Sequence, residues 1–410
     1  MTRRPIIGVA VVAILVAAVA LASTRLIGMD AATPGNGSGG ADAAATAAPS
    51  GTPRPAPQHE VYGFVPYWEM DATIADHLAK TDLTTLLLFS VTNTKTGSID
   101  ETQNGFKRIT GDVGKRMITE AHDRGTRVEL VFTSFGAARN DRFFSSPKVQ
   151  DLAIDALISL VLDLKLDGVN VDVEGLGLEW VPAYGDFVER LRMFLRVQVP
   201  NAQVSVATQA GRTGAAMAAV ATTTTARADR VFLMGYDYRT GSSDPGASAP
   251  MDRRDGSEAD LVWSLDMYEA LGVPVERTLL GLPLYGITWP VAGPALGEAR
   301  TGDGDTWVPA DNAAVITSPQ IPPETDPIEI VDFYAIPPAD GATPDPSDGS
   351  PAKGWRAVYV DSPATLTVKL QLADDRGLAG AGFWAIGYER GLPGYDELIG
   401  QFRAGKLDGG

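Results

Sequence analysis

The sequence predicts a closed α/β barrel, a (β/α)8 TIM barrel with an insertion between strands 7 and 8. Three observations point there. Eight strand-like runs alternate with helical patterns between residues 61 and 386. An apolar helix-like run, residues 152–164, leads into the fourth strand, as in a parallel sheet covered by helices. No glycine-rich phosphate loop follows any strand, which disfavours the alternative of an open doubly wound sheet.

Taken in order, residues 1–28 read as an export segment. Thr2-Arg3-Arg4 supplies a positive start, Pro5 to Ala22 is almost wholly apolar, and Ala20-Leu21-Ala22 offers a small-residue cleavage site. An apolar run of about 18 residues can also span a bilayer. A cleaved signal peptide and a retained membrane anchor therefore stand as equal alternatives, with Arg3 and Arg4 keeping the N-terminus cytoplasmic. No cysteine follows, so a lipoprotein anchor is excluded. Either route implies an extracellular or cell-surface location. Residues 29–58 are Ala, Gly, Ser, Thr and Pro with few large apolar side chains, a composition expected of a disordered linker.

The folded domain is expected over residues 59–405. Its strand candidates are Val61–Pro66, Thr85–Val91, Arg127–Thr133, Gly168–Glu174, Gln203–Thr208, Arg230–Tyr236, Thr278–Pro283 and Gly380–Ile386. Helical patterns cover Asp112–Arg124, Ser146–Leu164, Ala183–Val197, Gly256–Leu271 and Pro363–Arg376. The stretch from Trp289 to Gly354 breaks the alternation. It is rich in Gly, Pro and Asp and holds two strand-like pieces, Ile328–Tyr334 and Ala357–Val360, bordering it. It reads as an insertion at about residues 290–355 that forms one wall of a cleft.

Composition removes several function classes. A net charge of −17 argues against nucleic acid, which needs clustered Lys and Arg. With no Cys there is no disulfide framework, thiol nucleophile or thiolate metal site. His59, His77 and His122 are scattered, so a Ser-His-Asp triad or a His-rich metal site is not expected. Asp303, Asp305, Asp311 and Asp326 in the insertion match no EF-hand spacing. No metal and no cofactor are expected, and acid–base chemistry falls to carboxylates and tyrosines.

Leu166 to Gly175, LDGVNVDVEG, concentrates those groups. Strand side chains alternate in direction, so Asn170, Asp172 and Glu174 share one face and Val169, Val171 and Val173 the other. A polar face is expensive to bury without partners, which marks this strand as functional rather than structural. The C-terminal ends of barrel strands carry the active site. Those ends supply Tyr62, Tyr67 and Trp68; Ser90 and Asn93; Thr133 and Ser134; Asp172 and Glu174; Gln209; Met234, Tyr236 and Asp237; Tyr285 and Trp289; and Trp384. Carboxylates ringed by aromatic side chains suit a sugar polymer, since aromatic faces stack on pyranose rings. Any one of these aromatics alone fits the core as well.

The segment DGVNVDVEG (167–175) resembles the DGxDxDxE signature of glycoside hydrolase family 18, the chitinase family. MGYDY (234–238) resembles that family's sixth-strand MxYD, GLPLYGITW (281–289) its seventh-strand GxPxYGxxW, and GAGFWAIGYE (380–389) its last strand. TSFG (133–136) is a fainter match to the third-strand SxGG. The motifs fall in family order, so the resemblance covers nearly all of residues 61–403.

The resemblance implies a glycosidase acting beside N-acetylglucosamine by a retaining mechanism in which the substrate's own acetamido group is the nucleophile. Glu174 would be the general acid, Asp172 would orient the 2-acetamido group, and Tyr236 would hydrogen-bond its carbonyl. Asp237 would contact the sugar in the −1 subsite and Trp384 would stack beneath it. Asn170, Met234, Gln209, Tyr67, Trp68 and Tyr285 would complete substrate binding. One departure matters: the signature's middle Asp is Asn170 here, which leaves Asp172 less able to share a proton inward. The DGVN form, with the Gly-Ser-rich stretch 241–248, resembles a bacterial branch that includes spore-germination and cortex-acting enzymes. No LysM-like wall-binding repeat accompanies it. The expected partner is an N-acetylglucosamine-containing polysaccharide, with chitin favoured over peptidoglycan and N-glycan cores, and a monomer is expected. A catalytically inactive, lectin-like barrel is the alternative; the presence of Glu174, Asp172, Tyr236 and Trp384 favours the enzyme.

Overall fold

The computed structural model describes residues 58–224, 227–338 and 354–407. The export segment 1–28 and nearly all of the linker 29–58 lie outside them. Among the described residues no helix is long and apolar enough to cross a membrane.

Seven strands come first: β1 (Glu60–Pro66), β2 (Thr85–Thr92), β3 (Arg127–Phe135), β4 (Gly168–Glu174), β5 (Gln203–Gln209), β6 (Arg230–Met234) and β7 (Thr278–Pro283). Five further strands follow, β8 (Gly286–Val291), β9 (Asp305–Trp307), β10 (Glu324–Asp326), β11 (Val331–Ile336) and β12 (Trp355–Val360), before the last barrel strand β13 (Gly380–Trp384). The barrel closes in the order β1-β13-β7-β6-β5-β4-β3-β2, with every pairing parallel. The (β/α)8 reading therefore holds, including the insertion between the seventh and eighth barrel strands.

Two cores hold it together. Outward-facing Val169, Val171 and Val173 of β4 join the apolar layer between sheet and helices. Inside the barrel a second cluster gathers Tyr62, Phe64, Leu87, Phe89, Val131, Ala207, Phe232, Met234 and Leu279. The Phe232 ring fits because Gly281 faces it; a Cβ there would come within 2.5 Å of the ring. The filled interior makes this barrel a solid support for its upper face, not a pore.

Two strand ends fall short of the sequence expectation. β6 stops at Met234 rather than Tyr236, because Asp237 turns into the left-handed region at φ 59°, a conformation short polar side chains tolerate. β13 stops at Trp384 rather than Ile386, ahead of Gly387 at φ 109°. The helix expected from Gly256 begins at Leu261, where Asp260 caps it by accepting from Trp263 N at 2.8 Å. The helix Arg212–Thr222 was not anticipated, since its Ala-rich run has little contrast between faces.

The insertion begins earlier than expected, at Gly286, and forms an antiparallel sheet in the order β10-β11-β12-β8-β9. It grips the loop after β6. Trp289 is fully buried and donates from Nε1 to Gly241 O and Ser243 O, at 3.2 and 3.1 Å. Glu329, also buried, pairs with Arg239 and accepts from Ala247 N at 2.7 Å and Arg254 N at 3.2 Å. Asp326 pairs with Arg254 at 2.5 Å, so this acidic residue is spent on an ion pair.

Removing one partner of a buried ion pair leaves the other uncompensated. Arg239→Ala should therefore cost about 3–5 kcal/mol of stability. Urea melts read this directly, and an unchanged midpoint would show that the loop is not held through Glu329.

Candidate active site

A cavity of about 890 Å³ opens at the C-terminal ends of the barrel strands. Asp172 and Glu174 both line it; Asn170 does not. The pleat explains the difference, because successive same-face residues step up the strand toward the opening. Asn170 sits deepest, fully buried, with Asp172 above it at 4% exposure and Glu174 at the half-buried lip. Placing Asn170 against the substrate is therefore corrected: it is a layer below.

Glu174 is held at its backbone. Its carbonyl accepts from Gly136 N at 2.9 Å and from Asn140 Nδ2 at 2.7 Å. Asn140 Oδ1 in turn accepts from Ser134 Oγ at 2.7 Å, so Ser134 points outward to position this clamp and not into the cavity. The Glu174 carboxylate accepts from Gln209 Nε2 at 3.0 Å. Burial raises the Glu174 pKa, with Asp237 adding to the rise and the Gln209 bond opposing it. Asp172 is pushed well above the usual carboxylate range, first by burial and then by the nearby Glu174 charge. The two lie close enough to bear on each other's charge, so their protons come off as a pair's and not as either residue's own.

Asp237 stands opposite, in a closed circuit. Its backbone N–H donates to Ser248 Oγ at 3.0 Å, Ser248 donates to Tyr285 OH at 3.1 Å, and Tyr285 OH donates to the Asp237 carboxylate. Tyr285 is buried and does not line the cavity, so it positions Asp237 from behind. Tyr236 does line the cavity; burial lifts its phenol well above its ordinary value and keeps it a neutral donor.

Trp384 forms the floor. Its ring meets Phe89 edge-on at 4.7 Å and tilts against Phe64 at 5.8 Å, joining the cavity to the barrel core. Trp68, 49% exposed, rises beside it with Nε1 donating to Tyr388 OH at 3.1 Å. Tyr67, Met234 and Gln209 line the cavity as well. Asn93 and Trp289 do not, and no residue of the inserted sheet does. The described part of the insertion is thus not a wall of the cavity; it acts on the loop after β6.

Sequence reading missed five lining aromatics, Phe64, Phe89, Phe135, Tyr238 and Trp263. Phe135 was within reach, since extending β3 by two residues puts it on the face of Thr133. Trp263 lies on a helix whose pattern gave no sign that its first turn faces the cavity. None of the lining residues is Lys, Arg or His. Away from the cavity, His77, Glu389 and Asp396 bring ligand-type atoms within 4.8 Å of one another. Their bonds are internal: His77 to Glu389 at 2.7 Å, Gly387 N to Glu389 at 2.9 Å, and Thr81 to Asp396 at 2.8 Å.

The model of "Glycosyl hydrolases family 18" matches residues 60–389, which span the barrel, its insertion and the cavity. The chain belongs to glycosyl hydrolases family 18. The structure is similar to that of the Bacillus cereus spore cortex-lytic enzyme SleL, with a TM-score of 0.64 at 16% identity over 84% of this chain and 74% of that one. It is also similar to a family 18 chitinase from Cycas revoluta solved with (GlcNAc)3, with a TM-score of 0.68 at 15% identity over 85% of this chain and all of the other. In sequence the chain is 30% identical over 168 residues to Nod factor hydrolase protein 1 of Medicago truncatula. That match spans 39% of each chain.

Tyr285→Phe in this family 18 chain removes the donor that steadies the Asp237 anion, so the Asp237 carboxyl should titrate at higher pH. A carboxyl ¹³C NMR titration measures it. An unmoved Asp237 would mean that the Tyr285 hydroxyl does not bear on its charge.

Proposed function

We propose that this chain is an exported retaining glycosidase that cleaves β-1,4 linkages beside N-acetylglucosamine with the help of the substrate's own acetamido group. One observation carries the mechanism. Asp172, the carboxylate next to Glu174, is almost fully buried and biased toward its neutral form. Such a group is a poor nucleophile, so Asp172 does not serve as the second carboxylate of an ordinary retaining enzyme. The acetamido oxygen of the sugar supplies what the protein lacks.

In this reading Glu174 gives its proton to the leaving glycosidic oxygen as the acetamido carbonyl oxygen closes on the anomeric carbon. Asp172 accepts the acetamido N–H on its unprotonated oxygen, while the Tyr236 hydroxyl holds the carbonyl. Water, deprotonated by the Glu174 carboxylate, then opens the ring and leaves a β-anomer. Trp384 stacks under the sugar and Asp237 binds its hydroxyls. The lining of the cavity bears on the substrate class: among the described residues it carries three acids, Asp172, Glu174 and Asp237, and no Lys, Arg or His. Without a cation it suits a neutral chitooligosaccharide better than a glycan strand bearing carboxylates. Of the proteins named above, the Cycas revoluta chitinase was solved with (GlcNAc)3 and SleL is a spore cortex-lytic enzyme, which fits both the favoured chitin and the peptidoglycan alternative. The apolar residues 5–22 support delivery outside the cytoplasm, on a cleaved signal peptide or a retained anchor.

The test is hydrolysis of chitooligosaccharides and of purified peptidoglycan by wild type and Glu174→Gln. Wild type should release β-anomers from chitooligosaccharides, and the variant should be about 10²–10⁴-fold slower. If both bound N-acetylated sugars equally and neither cleaved them, the lectin-like alternative would replace the enzyme.

A further inference from the structure

Beneath the reactive pair the barrel interior holds a buried polar column that the mechanism above does not use. Asn170 Nδ2 donates to Ser205 Oγ at 2.7 Å, and Ser205 Oγ donates to Glu129 Oε2 at 2.5 Å. All three residues are 0% exposed. Two atoms at the top of the column are buried without a partner, Asn170 Oδ1 and Asp172 Oδ1. Orphaned buried polar atoms of this kind call for a reason.

The direction of the column supplies one. A serine hydroxyl has one hydrogen. Spent on the Glu129 carboxylate, it obliges Ser205 to accept from its other neighbour, and only the NH2 of Asn170 can donate there. The amide oxygen is then turned away from Ser205, where it is buried with no partner of its own, and Asp172, the next residue up this face of β4, is the carboxyl in line to meet it. A neutral Asp172 carboxyl can donate to that oxygen, and the two orphans satisfy each other. Had Ser205 been free to donate upward, the amide would reverse, and its NH2 would face Asp172 and favour the anion instead.

We infer that Glu129 is a positioning residue for the reaction: acting through Ser205, it fixes the Asn170 amide with its oxygen toward Asp172 and so tunes the proton affinity of the Asp172–Glu174 pair. This rests on the reading of that pair as the catalytic one. It also gives the Asn at the signature's middle position a physical account, in which the carboxylate moves one strand over and one layer down, to β3. Glu129 is itself pushed up to about 7, by burial above all, with the Ser205 bond opposing. The groups facing it are Arg127 on its own strand, Glu60 and Tyr62 on β1, Asp229 before β6, and Arg230, which pairs with Glu60; those facing Asp172 are Glu174 on its own strand and the hydroxyls of Tyr184 and Tyr236.

The sign of the effect follows. An acceptor facing Asp172 favours its neutral form and places both limbs of the pH–rate bell at higher pH; a donor facing it does the reverse. Glu129→Leu removes the acceptor below Ser205 and puts an apolar side chain beside Leu87, its partner in the β2–β3 register. The Ser205 hydrogen then turns to Asn170, the amide reverses, and the bell should move about one unit toward lower pH. Glu129→Gln keeps an acceptor oxygen and should restore most of the wild-type profile. A merely structural role would lower the amount of folded enzyme without moving the bell. A folded Glu129→Leu enzyme with the wild-type bell would overturn the inference. Neutron diffraction of the wild-type crystal gives an independent reading that needs no variant. The Asn170 oxygen toward Asp172 is expected, and its nitrogen there would overturn the inference. That measurement stands whether or not the chain cleaves chitooligosaccharides, so failure of the positioning role and failure of the proposed function remain distinguishable.

Discussion

Burying carboxyl groups along one face of β4 is the constraint from which the rest of the site follows. A parallel barrel has no solvent on its inner face, so each polar group placed there needs a partner or a proton. The groups are graded by depth. Glu129 at the bottom has one hydroxyl; Asp172 in the middle has little but its neighbours; Glu174 at the lip has Gln209 and partial access to solvent. Raised proton affinity in Asp172 and Glu174 is thus built in by position before any substrate arrives.

Much of this was legible because barrels translate alternation into depth. The strict apolar–polar alternation of residues 169–174 gave both the orientation of β4 and the shared face of its acids, and its limits came out as expected. The apolar character of the other strands located them with errors of one or two residues at the ends. The two ends that fell short lie where the backbone itself changes, at Asp237 and before Gly387, and a turn of that kind has no periodicity to betray it, whereas β1, β2, β3 and β5 run one or two residues longer than expected.

What was illegible depends on contacts between distant segments. Tyr285 and Trp289 looked like substrate aromatics because they follow a strand end; in the fold both serve the loop after β6, from behind the cavity. Trp263 presents the converse case, an aromatic in an unremarkable helix pattern that reaches the cavity. Asn170 was recognised as a departure, yet its partner Glu129 lies 41 residues earlier on β3 and reads in sequence as an isolated acid in an apolar strand. Nothing local pairs the two. Only closure of β3, β4 and β5 side by side brings them to a common hydroxyl.

The clamp on the Glu174 carbonyl has a mechanical side. Gly136 and Asn140 hold that carbonyl, and both belong to the turn and helix that follow β3. The acid is therefore riveted to a neighbouring strand's exit as well as to its own, and the two exits move as one body. Thermal motion that would let a lone strand end drift must here shift both together. The aim of the Glu174 side chain is averaged over two supports, which narrows its wander when a bound molecule pulls on the cavity rim.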